Sequence, residues 1–237
     1  NGNADDESGN GNNGILINGP TPEQDRFGRA SSAYYFDGLD DFILVNDASS
    51  LNPSAEISLC AWFKGDFFTG DGYSPLLAKG YTSHTAPYYQ YKLGAGADYN
   101  NSWFIGSSLA INGNESRAST PNNYWTPGDW YFVVATYDGS RHKFYVNNQL
   151  IVDQAASGPL STYGQEMYFG NNTTLDDFFQ GVIDDIRIYD RALDSSEVAA
   201  LYYEELCFDH VTVTDTLIIN ANLTSFRPVT YQNSIRV

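Results

Sequence analysis

The 237-residue chain is strongly acidic, with 29 Asp and Glu residues against 12 Lys and Arg and a formal net charge of −17. Phosphate binding needs clustered Lys and Arg, so this charge excludes nucleic acid as a partner and argues against an anionic membrane surface. No run approaches the ~20 apolar residues of a membrane-spanning helix, so we expect no membrane insertion. The excess of carboxylates fits a secreted protein in salty or calcium-rich surroundings, and it equally fits a role in solubility alone.

The chain opens with a polar loop, NGNADDESGNGNNG, and continues with many short apolar runs separated by turn residues. These runs, among them FILV, ISLCAWF, WYFVVATY and VIDDIRIY, are rich in β-branched and aromatic residues. The rhythm predicts an all-β sandwich, although the pattern alone leaves a barrel open. After WYFVVATY, Asp138-Gly139 predicts one turn, and Asn147-Asn148 predicts a two-residue type I′ hairpin turn.

Aromatic residues make up 15% of the chain, and 18 of them are Tyr. Aromatic rings stack on the C–H faces of sugars, whereas Asn, Asp, Gln and Tyr hydrogen-bond to sugar hydroxyls. Residues 67–104 are rich in both kinds of side chain. Tyr89 and Tyr91 are predicted to share one face of a strand and to form, with Tyr81, an aromatic platform for a glycan.

Two further aromatic clusters lie in polar segments. The turn PNNYWTPGDW contains Tyr124 and Trp125, and a turn rich in Pro, Asn and Gly is hard to bury, so we expect both rings to be exposed for ligand binding. The other cluster is DDFF at 176–179. The competing interpretation for each of these aromatics is that it fills the core or covers a sheet surface.

The run VIDDIRIY at 182–189 predicts a strand with an unusual feature. Alternation places Asp184 on the same face as three apolar residues, Val182, Ile186 and Ile188. A buried carboxylate needs a cation or several hydrogen bonds. Arg187, Arg191, backbone N–H groups or a calcium ion can each meet that need.

One segment has the sequence features of a helix. Asp194 is a predicted N-cap, and Glu197 occupies the third helical position of a capping box. Leu193 and Val198 complete a hydrophobic staple across the helix start. Glu197 is therefore interpreted as a helix cap rather than as a catalytic acid.

The sequence contains no recognisable catalytic motif. The E-x-D-x-E pattern, which would place two carboxylates at the spacing of a retaining glycosidase, does not occur. The nearest pair, Asp184 and Asp185, is adjacent, and in a regular strand the two side chains point to opposite faces. We therefore expect no enzymatic activity. The two cysteines, Cys60 and Cys207, leave open either a buried thiol at Cys60 or a disulfide between them.

The block GVIDDIRIYDRALDSSEVAALY resembles the closing strand and helix of bacterial laminin-G-like domains, which belong to the concanavalin A-like lectin/glucanase superfamily. NADDESGNGNNG, AYYFDGLDDFILV and WYFVVATYDGSRHKFYVNNQLI resemble its opening loop, first core strands and central hairpin. The resemblance spans residues 1–206 and implies a jelly-roll sandwich of two antiparallel sheets with one short helix near its C-terminal side. Residues 207–237 are interpreted as an edge strand and linker toward a following domain, with a final strand pair of the same sandwich as the alternative.

The resemblance also implies a structural calcium ion, and it favours calcium as the partner of Asp184. Calcium takes six to eight oxygen ligands. The candidate ligands are Asp6 and Ser8 in the opening loop, Asp37 at the end of AYYF, and Asp184 on the closing strand. Such an ion would hold the N-terminal loop against the last strand.

The resulting expectation is a non-catalytic carbohydrate-binding module within a larger secreted or cell-surface bacterial protein. Its expected partner is a polysaccharide, and its candidate ligand-binding residues are Tyr81, Tyr89, Tyr91, Tyr124 and Trp125. The alternative is a cell-adhesion module of the same fold that binds another cell-surface protein.

Overall fold

The computed structural model describes residues 3–66, 72–81, 85–97, 103–172 and 177–204. Within these residues the chain forms fourteen β-strands and one α-helix. The elements are β1 (Gly14–Ile17), β2 (Thr21–Glu23), β3 (Ala33–Asp37), β4 (Phe42–Val45), β5 (Ile57–Gly65), β6 (Gly72–Lys79), β7 (Tyr91–Ala97), β8 (Trp103–Ile111), β9 (Asn114–Ser119), β10 (Trp130–Tyr137), β11 (Arg141–Val146), β12 (Gln149–Ala155), β13 (Met167–Phe169), β14 (Gln180–Tyr189) and α1 (Ser195–Tyr202).

The described strands form two seven-stranded antiparallel sheets. Sheet A has the order β1-β4-β13-β6-β7-β8-β9, and sheet B has the order β12-β11-β10-β5-β14-β3-β2. Strands that are neighbours in a sheet are often far apart in sequence, so the chain crosses repeatedly between the two sheets. The architecture is a jelly-roll sandwich, which confirms the predicted fold class.

The main core lies between the inner faces of the two sheets. Alternating residues of each central strand point into it, as the period-two pattern of half-buried strands requires. On β5 and β14 the outward-facing residues are buried as well, because sheet B is covered from outside. At Gly181, φ is +136°, and an added Cβ would lie 2.3 Å from the carbonyl oxygen of Lys64, so this close approach of two strands requires glycine.

The outer face of sheet B is covered by helix α1. Val198 and Leu201 are buried, and the ring of Tyr202 stacks on Trp62 with centroids 5.6 Å apart. The predicted capping box is confirmed: Asp194 accepts hydrogen bonds from the backbone of Glu197 and Ser196, and the Glu197 side chain accepts one from the backbone of Asp194. The helix therefore begins where the sequence predicts, and it closes one outer face of the sandwich.

The opening loop is organised by its own side chains. The carboxylate of Asp6 accepts hydrogen bonds from the backbone N–H groups of Ser8 and Asn12, both at 2.9 Å. Asn12 in turn contacts Ser50, which ties the loop to the body of the domain.

The remaining predictions concern membrane insertion, the two cysteines and the C-terminal segment. Among the residues described, no helix is both long enough and apolar enough to cross a membrane. Cys60 is buried in β5. Cys207 and the segment 207–237 lie outside the described residues, so the disulfide and the C-terminal linker stay predictions.

Candidate functional site

Asp184 pairs with a distant arginine. A β-bulge interrupts the pairing of β14 with β5 at Asp185, whose φ is +48°. The bulge brings the carboxylates of Asp184 and Asp185 to the same guanidinium, with Nη1 of Arg26 2.9 Å from each. The inference that the two carboxylates point to opposite faces was therefore wrong, because a bulge breaks strict alternation.

The bulge also corrects the predicted apolar stripe. Ile186 and Ile188 face the core together with Ile183, whereas Val182 pairs with Lys64 on the outer side of sheet B. Asp184 therefore shares a face with Val182 but not with Ile186 or Ile188.

Arg26, Asp184 and Asp185 form a nearly buried ionic cluster on the outer face of sheet B. The side chains of Arg26 and Asp184 are each 5% exposed. Burial and the neighbouring charge of Asp185 raise the pKa of Asp184, and the positive charge of Arg26 opposes that shift. Arg26 also lies over the rings of Trp62 and Phe27, at 4.5 Å from each centroid. The positive charge near Asp184 is thus supplied by the chain itself.

The predicted calcium ligands are not brought together at Asp184. Asp37 lies opposite Gln180 in the β3–β14 pairing, four residues from Asp184, which corresponds to about 13 Å along a strand. Asp6 is engaged in the turn of its own loop, and the backbone of Ser8 contacts it there. Asp37 instead lies in a turn with Asp40 and Asp41, and one carboxylate oxygen from each lies within 4.8 Å of the others. This acidic turn offers the hard oxygen donors that suit calcium.

Two of the predicted ligand-binding aromatics are core residues. Trp125 is only 4% exposed, and its ring packs edge-on against Phe63 and Trp103, with centroids 5.7 and 4.9 Å away. Gly65 makes room for the indole, since an added Cβ there would lie 2.8 Å from it. Tyr91 is 1% exposed, and its hydroxyl donates to the carbonyl of Leu51. The predicted exposure of Trp125 was wrong, because a polar turn can still direct one side chain inward.

Tyr124 lies at the margin of the same packing. It is partly buried and packs against the core, and its backbone N–H donates to the carbonyl oxygen of Trp103 at 3.0 Å. Burial raises the pKa of its hydroxyl. Trp103 pairs with Ala97, six residues along β7 from Tyr91, so Tyr124 lies near the opposite end of that strand from Tyr91.

Tyr81 and Tyr89, two of the predicted aromatics, lie in a polar and aromatic cluster in which Tyr89, Lys92 and Asn172 are buried. We call it the outer-face cluster. Its members are Tyr81, Tyr89, Lys92, Asn172 and Asp177. The rings of Tyr81 and Tyr89 are 5.3 Å apart at an angle of 55°. The amide nitrogen of Asn172 donates to the hydroxyl of Tyr89 at 2.6 Å and to the carboxylate of Asp177 at 3.0 Å.

The alternation of β7 explains why this cluster lies on the outer face of sheet A. Tyr91, Leu93 and Ala95 belong to the core, so Lys92 points to the opposite face. Tyr89 precedes the strand, and the ammonium of Lys92 lies 4.0 Å from its ring centroid. Tyr89 and Tyr91 therefore do not share a face as predicted.

The electrostatics of the cluster are unusual at Lys92. Burial lowers the pKa of this lysine to about 7, and the positive charge of Arg117 contributes to the same shift. Asp177 and Glu115 act in the opposite direction. The pKa of Tyr81 is raised by burial and then by the carboxylate of Asp177. Charged and hydrogen-bonding groups are therefore concentrated around the ring of Tyr81, which remains partly exposed.

Three members of the cluster were not proposed as ligands from the sequence. Asp177 belongs to the DDFF segment, which was singled out only for its aromatics. Lys92 is the basic residue of the run YYQYKLGAGA, and alternation from the apolar Leu93 would have placed it on the outer face. Asn172 follows MYFG, and its approach to Tyr89 joins residues 83 positions apart. No sequence signal reveals that contact.

Comparison with solved structures identifies the same fold in binding domains. Domain 4 of AbnA, an extracellular GH43 arabinanase from Geobacillus stearothermophilus solved in complex with arabinotriose, aligns with a TM-score of 0.63 and 19% identity over 84% of this chain and 93% of that domain. The binding domain of Paraclostridial Mosquitocidal Protein 1 aligns with a TM-score of 0.66 and 15% identity over 86% of this chain and 50% of that domain.

The botulinum neurotoxin serotype G binding domain aligns with a TM-score of 0.60 and 14% identity over 83% of this chain and 48% of that domain. This chain thus spans about half of each toxin binding domain. At these identities the likeness is one of fold.

Sequence comparison gives a consistent result. No curated protein matches the chain. Residues 30–199 match the laminin-G-like family of the concanavalin A-like lectin/glucanases superfamily, a segment that includes both sheets from β3 onward and most of α1. The chain belongs to the concanavalin A-like lectin/glucanase superfamily.

Proposed function

We propose that this domain is a non-catalytic carbohydrate-binding module of a secreted or cell-surface bacterial protein, and that the outer-face cluster contacts the glycan. The observation that carries the proposal is the partly exposed ring of Tyr81 beside the partly exposed carboxylate of Asp177, with the buried Tyr89 and Asn172 holding these two groups in place. The Tyr81 ring can stack on a sugar while the carboxylate accepts hydrogen bonds from the sugar hydroxyls. The fold shared with an arabinanase domain that was solved with arabinotriose supports this assignment.

The acidic pair on β14 supports a role without catalysis. Glycoside hydrolysis needs one carboxylic acid and one carboxylate on either side of the scissile bond. Asp184 and Asp185 instead share Arg26, Asp185 also lies 3.6 Å from Arg187, and both carboxylates are almost completely buried. They do not line an open cleft.

A glycan array tests the proposal, and Tyr81 provides the matched variants. Tyr81→Ala removes the partly exposed ring and should weaken binding to any bound glycan by about fivefold or more, because an aromatic stacking contact is worth about 1 kcal/mol or more. Tyr81→Phe keeps the ring and should retain most of the affinity. Silence across the array, or equal affinity of wild type and Tyr81→Ala, would contradict the assignment.

A protein ligand is the second candidate, and one observation favours it. Ile15 and Leu16 on β1, the edge strand of sheet A, are 46% and 40% exposed. Exposed apolar residues on an unpaired edge can dock another protein. If a cell-surface protein is the ligand, Leu16→Lys should abolish its capture while Tyr81→Ala leaves it unchanged. The reverse result would favour the glycan.

A structural calcium ion stays part of the proposal, with a revised place. Asp37, Asp40 and Asp41 offer three carboxylates in one turn, whereas Asp184 is already paired with Arg26. An ion bound only by the folded protein raises its melting temperature by mass action. We expect calcium to raise the melting temperature relative to EDTA in the wild type and to have no effect in Asp40→Asn. An identical melting temperature with and without EDTA would contradict calcium binding.

A further inference from the structure

A polar cavity lies at the edge of sheet A opposite to β1. It opens between β9 and β12, the edge strands of the two sheets, and has a volume of about 390 Å³. That size falls within the range of small-ligand pockets. We call it the edge groove. Its polar lining includes Asn112, Asn114, Glu115, Arg117, Gln154 and Ser157.

The lining is held in place by bonds that do not involve a ligand. The amide nitrogen of Gln154 donates to the hydroxyl of Ser116 at 3.0 Å and to the carbonyl of Arg117 at 2.7 Å, which connects β12 to β9. The turn before β9 is anchored too, because the N–H of Gly113 donates to the hydroxyl of Ser161 and the N–H of Asn112 donates to the carbonyl of Pro159. The groove is therefore a preorganised surface, which reduces the entropic cost of binding.

The charged groups of the groove are fixed by a buried neighbour. Glu115 accepts a hydrogen bond from the hydroxyl of Ser108 at 2.7 Å and pairs with the guanidinium of Arg117 at 3.1 Å. The side chain of Glu115 is 15% exposed and that of Arg117 is 60% exposed. The anchored carboxylate thus positions an accessible guanidinium at the mouth of the groove, and the pair is neutral overall.

These properties favour a small polyhydroxylated ligand over an added peptide strand. Strand addition needs free backbone groups along the edge. The carbonyl of Arg117 on β9 is instead occupied by Gln154. The donors and acceptors that line the groove come from amide, carboxylate, hydroxyl and guanidinium groups, which match the alternating donors and acceptors of a neutral sugar.

We infer that the edge groove is a second glycan subsite, adjacent to the outer-face cluster, and that it takes a neutral oligosaccharide through Asn114 and Arg117. Arg117 lies two strands from Lys92 of that cluster, in register through Ser108. This inference rests on the proposed function of the domain. Two subsites on one domain would let a single polysaccharide chain, or two neighbouring chains, bind with increased avidity.

Isothermal titration with neutral trisaccharides tests the inference. The probes are arabinotriose, xylotriose, cellotriose and mannotriose, and the proteins are wild type, Tyr81→Ala, the double variant Asn114→Ala with Arg117→Ala, and Lys64→Ala. Lys64 lies on the outer face of sheet B, so its variant removes one positive charge far from both sites. Melting curves confirm that each protein is folded.

The expected result is two bound trisaccharides per wild-type domain and one per domain in Tyr81→Ala and in the double variant, while Lys64→Ala binds two. If the wild type binds one trisaccharide and only the double variant loses it, the groove is a glycan site and the outer-face cluster is not. One site that Tyr81→Ala removes, whether or not the double variant weakens it, would overturn the groove and leave the proposed function intact. Binding of none of the four probes would contradict both.

Discussion

No pattern in the sequence indicates that Arg26 contacts Asp184 and Asp185. It lies 158 residues before Asp184 in the chain, yet one of its nitrogens contacts both carboxylates of the β14 bulge. The strand pattern offers Arg187, Arg191 or calcium as the partner of Asp184, because such a pattern shows only local neighbours. The residue that supplies the charge is set by the pairing of sheets and by the segment before β3, and neither is visible in the run VIDDIRIY.

Removing Arg26 should therefore be costly. Arg26→Gln leaves Asp184 without its cation and Asp185 with Arg187, 3.6 Å away, and breaking a buried ion pair from one side typically costs about 3–5 kcal/mol. The matched control is Arg141→Gln, whose partner Asp153 is 37% exposed, so its loss should cost less than about 1 kcal/mol. Urea denaturation of both variants measures the difference. Equal losses of stability would show that the Arg26 cluster does not stabilise the fold.

His142 should make the domain sensitive to acid. It is fully buried, with its two ring nitrogens 2.9 Å from the Ser107 hydroxyl and 3.0 Å from the Ser116 hydroxyl. Burial lowers its pKa from 6.5 to about 4. A lowered pKa means that the folded state resists protonation of His142. The contribution of the neutral imidazole to the free energy of unfolding is therefore fully present above pH 6.5 and is lost as pH falls toward 4. The loss amounts to about 3 kcal/mol.

Urea denaturation between pH 7.5 and pH 4.5 checks this expectation. His142→Asn cannot take up the proton, so its stability should fall less steeply with pH than that of the wild type. The carboxylates titrate in the same way in the wild type and in His142→Asn, so their effect on stability cancels in the comparison. Parallel losses of stability in the two proteins would exclude His142 as the cause.

At the scale of the element, α1 begins where the sequence predicts and depends on its cap. Asp194 accepts hydrogen bonds from Ser196 and Glu197 at 2.8 and 2.9 Å. Asp194→Ala should cost about 1 kcal/mol, because those N–H groups lose their acceptor. Ser195→Ala, one position later and exposed, is the control and should be nearly neutral. A thermal melt separates the two, and an unchanged melting temperature in Asp194→Ala would contradict the role of the cap.

The elements that could be predicted are those specified by neighbouring residues. The capping box lies within four residues, and the hairpin turn at Asn147 and Asn148 adopts positive φ at both positions, 48° and 64°. The burial of Trp125 could not be predicted, because it depends on Phe63 and Gly65, which lie in β5 and are distant from Trp125 in the sequence. Turn composition describes the backbone of a segment and not the direction of each side chain.

At the scale of the whole molecule, the two outer faces of the sandwich differ. Helix α1 and the Arg26 segment cover sheet B, which makes its central strands buried on both sides. Sheet A instead carries the outer-face cluster near its centre and the edge groove at one end. The sequence predicted the sandwich and an aromatic region between residues 67 and 104. It could not distinguish Tyr91, which faces the core, from Tyr89, which faces outward, because the strand begins only at Tyr91.

Mapping of a bound glycan by NMR shows whether the outer-face cluster is the binding site. Amide spectra of the full chain are recorded during titration with the glycan that binds most tightly on the array. We expect the largest shift changes at Tyr81, Tyr89, Lys92 and Asn172, with none at α1. Shift changes confined to α1 and the outer face of sheet B, or no shift changes with any glycan, would contradict this assignment.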